Sequence, residues 1–368
     1  MEEIHHRSPL RKTRQALQSG KLTVGFIGGS ITDERPGCNW PEPVTAWLVE
    51  TFPGARIQVE NVGIGATGSD LAVFRAERDL IRRGCDLVFI EFAVNDAGEP
   101  TDKRMRTREG LLRKLKSGLG ADLVFVYTYQ QTMYAEMQRG EMPASIAEFE
   151  QLAEYYQIGS VWMGLHALRE VQAGHMRWEE WLPDGLHPQQ RGSLSYGQVV
   201  AAYLQPELCG PAPEPAAGAL LPAPLHPANW EHAFSLPFEQ VQLAGPWVVK
   251  RWVRHAWLDY VLQTAAPGAR LSFDFTGRGL QLGFDFGKSS AEFRYRIDGG
   301  AWLTSQRDRP DWCGVEGWFR PILLADDLPL AGHHFELEVT HANPNGDQAL
   351  GPRVTGTTFN LGLIGIIA

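Results

Sequence analysis

Four short stretches of this chain hold residue types that, brought together, could cleave an acyl bond: Gly28-Gly29-Ser30, Asn61-Val62-Gly63-Ile64-Gly65-Ala66, Ala93-Val94-Asn95-Asp96 and Asp184-Gly185-Leu186-His187. A hydroxyl attacks an acyl carbon effectively only if a base takes its proton and fixed donors receive the oxyanion that forms. Ser30 supplies a hydroxyl and His187 a base. Asp184, three residues earlier, can hold the imidazole in one orientation and tautomer. The N–H of Ser30, an N–H from Gly65 or Ala66, and the Asn95 carboxamide are the candidate oxyanion donors. Each stretch has a plainer reading when taken alone. Ser30 could cap the next helix, Asp184 and His187 could be a surface pair, and Asn95-Asp96 could be a turn and cap. Together the four favour shared chemistry, with Asp96 alone kept as a cap.

For these residues to meet, each must stand at one end of a common sheet. Residues 22–27 read as a buried strand that runs straight into two glycines, which permit a sharp exit and leave Ser30 at the strand's carboxyl end. Residues 44–52 have helical spacing, 56–62 form a second strand and 71–83 a helix. Residues 86–92 (Asp-Leu-Val-Phe-Ile-Glu-Phe) are nearly all apolar, the mark of a strand covered on both faces. Glu91 lies within that run, where an unpaired charge is costly; a structural partner such as Arg75 or Arg78 is expected, with a role near the site as the alternative. A helix at 107–119, a strand at 122–128, a helix at 145–156, a short strand at 160–163 and a last helix at 190–204, stopped by Pro206, complete the pattern. Alternating strands and helices predict an α/β three-layer sandwich around a parallel sheet. Ligands of such sheets bind at the carboxyl ends of the strands, where the first three stretches fall.

Beyond residue 205 the composition changes. Pro206, Pro211, Pro213, Pro215, Pro222, Pro224 and Pro227 make a stiff connector without apolar periodicity. From about Trp230, apolar and polar residues alternate over 270–275, 280–286, 292–297 and 334–339, with a tight-turn signal at Asp298-Gly299-Gly300. This predicts an antiparallel β-sandwich of jelly-roll type, with most of the seven tryptophans from Trp230 onward in its core. The expected plan is a polar extension at 1–20, an α/β domain at 21–208, a Pro-rich linker at 209–229 and a β-sandwich at 230–368.

Composition excludes other classes. A chain of 368 residues is longer than one core usually organises. A net charge of -9 repels a phosphate backbone, so nucleic acid is not an expected partner. No apolar run approaches the roughly 20 residues that span a bilayer, so no membrane partner is expected. The polar N-terminus lacks a secretory pattern, which makes a cytoplasmic location the default. Cys38, Cys85, Cys209 and Cys313 have no metal or disulfide spacing and read as reduced thiols. His166, His175, His255, His333, His334 and His341 likewise lack ligand spacing, and no metal is expected. Strand edges in the β-rich part would allow copies to pair as a homo-oligomer.

Read in order, Gly28-Gly29-Ser30-Ile31-Thr32, the Asn61 to Ser69 block, Ala93-Val94-Asn95-Asp96 and Asp184-Gly185-Leu186-His187-Pro188 resemble the SGNH (GDSL-like) hydrolase family over roughly residues 20 to 205. The resemblance implies a flavodoxin-like fold and a serine esterase that needs no cofactor. It also implies Ser30 as nucleophile, His187 as base, Asp184 as its orienting carboxylate and Asn95 as oxyanion donor. The family's donor glycine, five residues after the asparagine, falls on Ala66, with Gly65 just before it. Ala93 stands where the third block often has glycine. No Gly-x-Ser-x-Gly occurs, which disfavours the ordinary α/β-hydrolase elbow. The β-rich remainder resembles jelly-roll domains that accompany such modules in some carbohydrate esterases, where they usually come first. The implied substrate is a small acyl ester, acetyl foremost, on a small molecule or oligosaccharide. Trp40, Trp178 and Trp181 flank the catalytic loops and are candidates for stacking on a sugar. Lipid or thioester hydrolysis by the same residues is one alternative; a carbohydrate-binding protein with a retired hydrolase domain is another.

Overall fold

The structure, a computed structural model, describes residues 1–33, 37–212, 221–252, 255, 258–285, 290–305, 318–340 and 358–368. Pro213 and Pro215 of the linker, Trp257, Trp312, Cys313 and His341 lie outside the described residues. The chain divides into two compact units, residues 1–231 and 232–368. Among the described residues no helix is long and apolar enough to cross a membrane.

Unit 1 runs β1 (Ile4–His5), α1 (Arg11–Gln18), β2 (Lys21–Gly28), α2 (Pro41–Thr51), β3 (Arg56–Asn61), α3 (Ser69–Ala76), β4 (Leu87–Glu91), α4 (Thr101–Leu119), β5 (Asp122–Val126), α5 (Tyr134–Gln138), α6 (Ala144–Tyr156), β6 (Gly159–Val161), α7 (Met163–Gln172), α8 (Trp178–Trp181) and α9 (Gln190–Cys209). The sheet order is β1-β6-β5-β4-β2-β3. All neighbours pair in parallel except the edge strand β1, which runs antiparallel to β6. Leaving out β1, the order is that of a flavodoxin-like sheet, in which the chain reverses its direction of winding between β2 and β4. Connections leave those two strands toward opposite faces and open a crevice at their carboxyl ends. The apolar content of β2 and β4 fits this place, since both are covered on both faces: Leu22, Val24, Phe26, Ile27, Leu87, Val88, Phe89 and Ile90 are all buried.

Two segments differ from the pattern read in the sequence. Residues 1–20, read as a polar extension, carry β1 and α1, and Thr13 of α1 donates from its N–H and hydroxyl to Asp122 at the start of β5. Helix α9 does not stop at Pro206 but continues to Cys209. A proline so near a helix end removes only one backbone bond, and the last turn is anchored from outside. The Arg14 guanidinium donates to the carbonyls of Pro206, Glu207 and Gly210, and Glu207 accepts from His6 and from the Leu10 N–H.

The end of the linker also belongs to unit 1. The Glu109 carboxylate on α4 accepts the N–H groups of Leu225 and His226, and Arg113 donates to Pro222 O and to Glu231. Trp230 is buried against Phe74 and the Gly110 backbone, where a Cβ would fall 2.6 Å from the Trp230 main chain. This tryptophan therefore packs in the α/β unit and not in the sandwich.

Unit 2 is a β-sandwich. Its strands are β7 (Phe234–Ser235), β8 (Gln242–Ala244), β9 (Val248–Arg251), β10 (Tyr260–Thr264), β11 (Arg270–Gly277), β12 (Gly279–Asp285), β13 (Glu292–Ile297), β14 (Leu303–Thr304), β15 (Phe319–Ala325), β16 (Ala331–Thr340) and β17 (Phe359–Ile367). One sheet has the order β15-β12-β17-β10-β9 with β7 on β17, the other β14-β13-β16-β11-β8, and every strand pairing is antiparallel. Inward-facing residues of both sheets, among them Phe273, Phe275, Phe284, Phe293, Phe335 and Phe359, form one apolar cluster. Asp298 and Gly299 take φ of 52° and 68°, and the Gly300 N–H closes onto Ile297 O, as a two-residue hairpin turn requires. Strand β12 departs from the alternation: Gln281 and Asp285 are buried with the rest of it, and Asp285 accepts from Ser290 and Asn360.

Candidate active site

Strand β2 ends at Gly28, and the chain turns at once: the N–H groups of Thr32 and Asp33 both close onto Gly29 O at 3.1 and 3.0 Å. The two glycines are demanded by their neighbours. A Cβ on Gly28 would fall 2.3 Å from Thr32 Oγ1 and 2.9 Å from Glu91 O, and one on Gly29 would fall 1.9 Å from Asn95 Oδ1. The Asn95 carboxamide thus lies directly across the residue before Ser30.

The loop after β3 is tied to the same turn. The Ile64 N–H reaches Gly28 O at 3.0 Å, and the Asn61 amide donates to Thr32 O at 2.9 Å while its oxygen takes the Gly63 N–H. These bonds bring Gly65 beside the serine, where a Cβ would be 3.5 Å from Ser30 Cβ. Ala66 follows with φ of 58°, the left-handed conformation that favours glycine, at the position where the family pattern has one.

The fourth stretch arrives between α8 and α9. Gly185 (φ 77°) forms its turn, Gly185 O accepts the Gln131 N–H at 2.8 Å, and the Gln189 N–H binds Trp181 O at 2.9 Å. His187 Nε2 lies 2.9 Å from Ser30 Oγ, and its Nδ1 lies 2.7 Å from Asp184 Oδ2. The second carboxylate oxygen, Oδ1, takes the N–H groups of Leu186 and His187 at 2.9 and 2.7 Å. Burial opposes the Asp184 charge, but the donors from His187 and Leu186 outweigh it and hold the carboxyl below its ordinary value. An ionised Asp184 keeps the proton on Nδ1, so Nε2 presents its lone pair to the serine hydroxyl. The side chains of Asp184 and His187 are 53% and 28% exposed, so the chain of hydrogen bonds opens to solvent on one side.

The structure therefore brings Ser30, His187, Asp184, Asn95 and Gly65 to one rim. It separates the tryptophans. Trp40 and Trp181 are 0% exposed and cannot stack on a ligand. Trp40 packs edge-on to Phe26 and Phe89 and donates its indole N–H to Thr32 Oγ1; Trp181 donates to the Tyr196 hydroxyl and packs on Gly192 of α9. Trp178 remains half-buried, stacked on Trp181 and edge-on to Tyr134.

Of two carboxyls at and just after the end of β4, one takes partners other than those read from the sequence. Glu91 does not meet Arg75 or Arg78, which both bind Asp79. It accepts instead from Thr128 Oγ1 at 2.7 Å, Thr32 Oγ1 at 3.2 Å and the Gly29 N–H at 3.4 Å. Asp96 does cap, taking the Ser69 N–H and hydroxyl at the start of α3, and it also binds Arg108 Nε at 2.8 Å. Thr128 carried no motif that would have singled it out, and Thr32, though it closes the first block, was given no role there. Among the described residues no group of three or more His, Cys, Asp or Glu side chains is placed to hold a metal ion.

Residues 26–193 match the model of the GDSL-like Lipase/Acylhydrolase family. Among solved structures, the chain is similar to a two-domain esterase (CEX) active on acetylated mannans, solved also in co-crystals with mannopentaose. The identity is 23%, with 99% of this chain and 96% of that chain covered and TM-scores of 0.78 and 0.79. It also matches Axe2, an acetyl xylan esterase from Geobacillus stearothermophilus, over 51% of this chain and 94% of that one, at 22% identity and a TM-score of 0.42. No curated protein matches the sequence. The likeness to the two-domain esterase covers 99% of this chain and so extends over both units.

Proposed function

We propose that this chain, whose residues 26–193 match the GDSL-like lipase/acylhydrolase model, is a serine esterase that removes small acyl groups, acetyl foremost, from the hydroxyls of a carbohydrate. The observation that carries this reading is the unbroken chain of hydrogen bonds from Ser30 Oγ through His187 to Asp184, at 2.9 and 2.7 Å. Ser30 Oγ attacks the ester carbon as His187 Nε2 takes its proton, and Asp184 stabilises the imidazolium that results. The oxyanion forms beside the Ser30 N–H, the N–H groups of the Gly65-Ala66 turn and the Asn95 carboxamide. His187 then gives its proton to the departing sugar oxygen, and a water activated by the same ring releases the acyl group from Ser30.

The carbohydrate part of the reading is supported by the two-domain fold shared with an esterase active on acetylated mannans. The half-buried face of Trp178, braced by Trp181 and Tyr134, offers an aromatic surface near the His187 loop. A fluorophosphonate probe should label Ser30, and acetylated oligosaccharides should be deacetylated faster than p-nitrophenyl esters of long acyl chains. Absence of labelling would sink the mechanism. A preference for chains much longer than acetyl would sink the substrate class while leaving the mechanism standing.

A further inference from the structure

We infer that Glu91 is a positioning residue for the nucleophile: its carboxyl, set beneath the Gly28-Gly29-Ser30 turn and held by hydroxyls from two other segments, fixes the backbone on which Ser30 stands. The inference rests on the esterase reading of Ser30.

Glu91 is the last residue of β4 and is 0% exposed. Its hydrogen bonds reach the loop after β2, at the Gly29 N–H and Thr32 Oγ1, and the end of β5, at Thr128 Oγ1. Thr32 Oγ1 accepts the indole N–H of Trp40 at 3.1 Å, and indole only donates, so the threonine's own hydrogen is free to point at the carboxyl. Trp40 thus donates to Thr32, and Thr32 and Thr128 both donate to Glu91, so the hydrogen bonds converge on the carboxyl under this loop. Thr32 in turn crowds Gly28 and gives its carbonyl to Asn61. Loss of the carboxyl would release a hydroxyl that packs against the glycine two residues before the nucleophile.

A purely structural carboxyl at this depth would be expected to have a cation. Asp96, five residues on and equally buried, has Arg108. The hydrogen bonds of Glu91 come from hydroxyls and an amide. Burial pushes its carboxyl up to about 7, the bonds from Thr128, Thr32 and Gly29 oppose that rise, and the nearby Asp96 charge adds to it; Tyr196 also lies within range of its field. Because its folded value is raised, ionising Glu91 above its ordinary range costs the fold stability, and the loss grows as pH rises toward about 7. A group that weakens the fold at neutral pH yet touches the nucleophile's own turn fits a functional role better than a structural one.

The test compares Glu91→Gln and Thr128→Val with the unaltered protein, using p-nitrophenyl acetate kinetics, the rate of fluorophosphonate labelling at Ser30, and melting temperature at pH 8. Glu91→Gln should melt no lower than the unaltered protein, because it removes a buried charge. Its kcat should nevertheless fall ~10- to 100-fold, with KM within about twofold, and labelling should slow in parallel. Thr128→Val, which releases one grip only, should show the same pattern with a smaller fall. Unchanged kcat and labelling in folded Glu91→Gln would overturn the inference, as would a fall that merely tracks the unfolded fraction. If Glu91→Gln does not fold, Thr128→Val decides by the same criteria. Failure of the unaltered protein to turn over ester or to label at Ser30 is a separate result: it removes the esterase reading, and this inference with it.

Discussion

Unit 1 and unit 2 differ in where most of their ionic side chains stand, although unit 2 also buries the Asp285, Ser290 and Asn360 group. In unit 1, polar side chains meet in buried or half-buried groups: Glu91 with Thr32 and Thr128, Asp96 with Ser69 and Arg108, Asn61 with Thr32. In unit 2, the ionic residues of β11, β13 and β16 form a ladder on the outer face of one sheet. There Arg270 and Arg294 stand opposite Glu338, and Arg296 opposite Glu336. The space between the sheets is filled by phenylalanine and aliphatic side chains. A buried polar network has few alternative arrangements, since each unmet partner is costly, whereas an exposed pair exchanges readily with water. The polar network around Glu91 and Asp96 is therefore the more tightly determined, while the sandwich is held mainly by apolar packing.

The largest expected break in this contrast is Ser30→Ala, which should lower kcat on p-nitrophenyl acetate at least ~10⁴-fold while leaving the melting curve in place. Retained turnover would return the rim residues to a structural role. Next comes Arg108→Met, which strands the buried Asp96 carboxylate. It should cost roughly 3–5 kcal/mol in denaturant unfolding of unit 1, and a loss below about 1 kcal/mol would mean that the network is not high-stakes.

A pH-dependent effect separates the units further. Both ring nitrogens of His333 face acceptors, Asp298 Oδ2 at 2.7 Å and Pro329 O at 2.8 Å, so both must donate and the ring is held protonated. The Asp298 bond first, then the Pro329 bond, raise its pKa. A raised folded value stabilises the fold fully below the ordinary histidine value and less as pH climbs through the raised one. Melting of unit 2 should therefore fall as pH climbs above the ordinary histidine value of about 6.5, and by more in the unaltered protein than in His333→Gln. Equal slopes would remove the assignment.

Smaller still is Glu338→Gln on the outer ladder, expected to cost no more than about 1 kcal/mol. The smallest change is Ala66→Gly. An alanine at ordinary φ loses roughly 0.5–1 kcal/mol on this replacement. At φ of 58° the relief of left-handed strain should cancel that loss or exceed it slightly, so thermal unfolding should be unchanged or marginally later.

Much of the fold was legible because its signals are local. The apolar runs of β2 and β4 announce strands covered on both faces, and the alternation in β11 and β16 announces strands with one wet face. Prediction failed where the deciding partner lies far along the chain. Helix α9 crosses Pro206 because Arg14, nearly two hundred residues earlier, takes up its terminal carbonyls. Glu91 looked like half of an ion pair because a carboxylate in an apolar strand ordinarily needs a cation; its partners proved to be two threonines on other segments. Trp40 and Trp178 both stand near catalytic loops in sequence, yet one is sealed against Phe26 and Phe89 and the other reaches the surface.

By itself the sequence determined which residues are chemically competent, which turns can form, and which strands are buried, because these follow from side-chain type, glycine placement and apolar period. Only the tertiary structure decided that positions 30, 95 and 187 share one rim, which tryptophan can meet a ligand, and what holds Glu91. Those outcomes depend on strand order and on contacts between segments up to about 160 residues apart, whose distances no local pattern encodes.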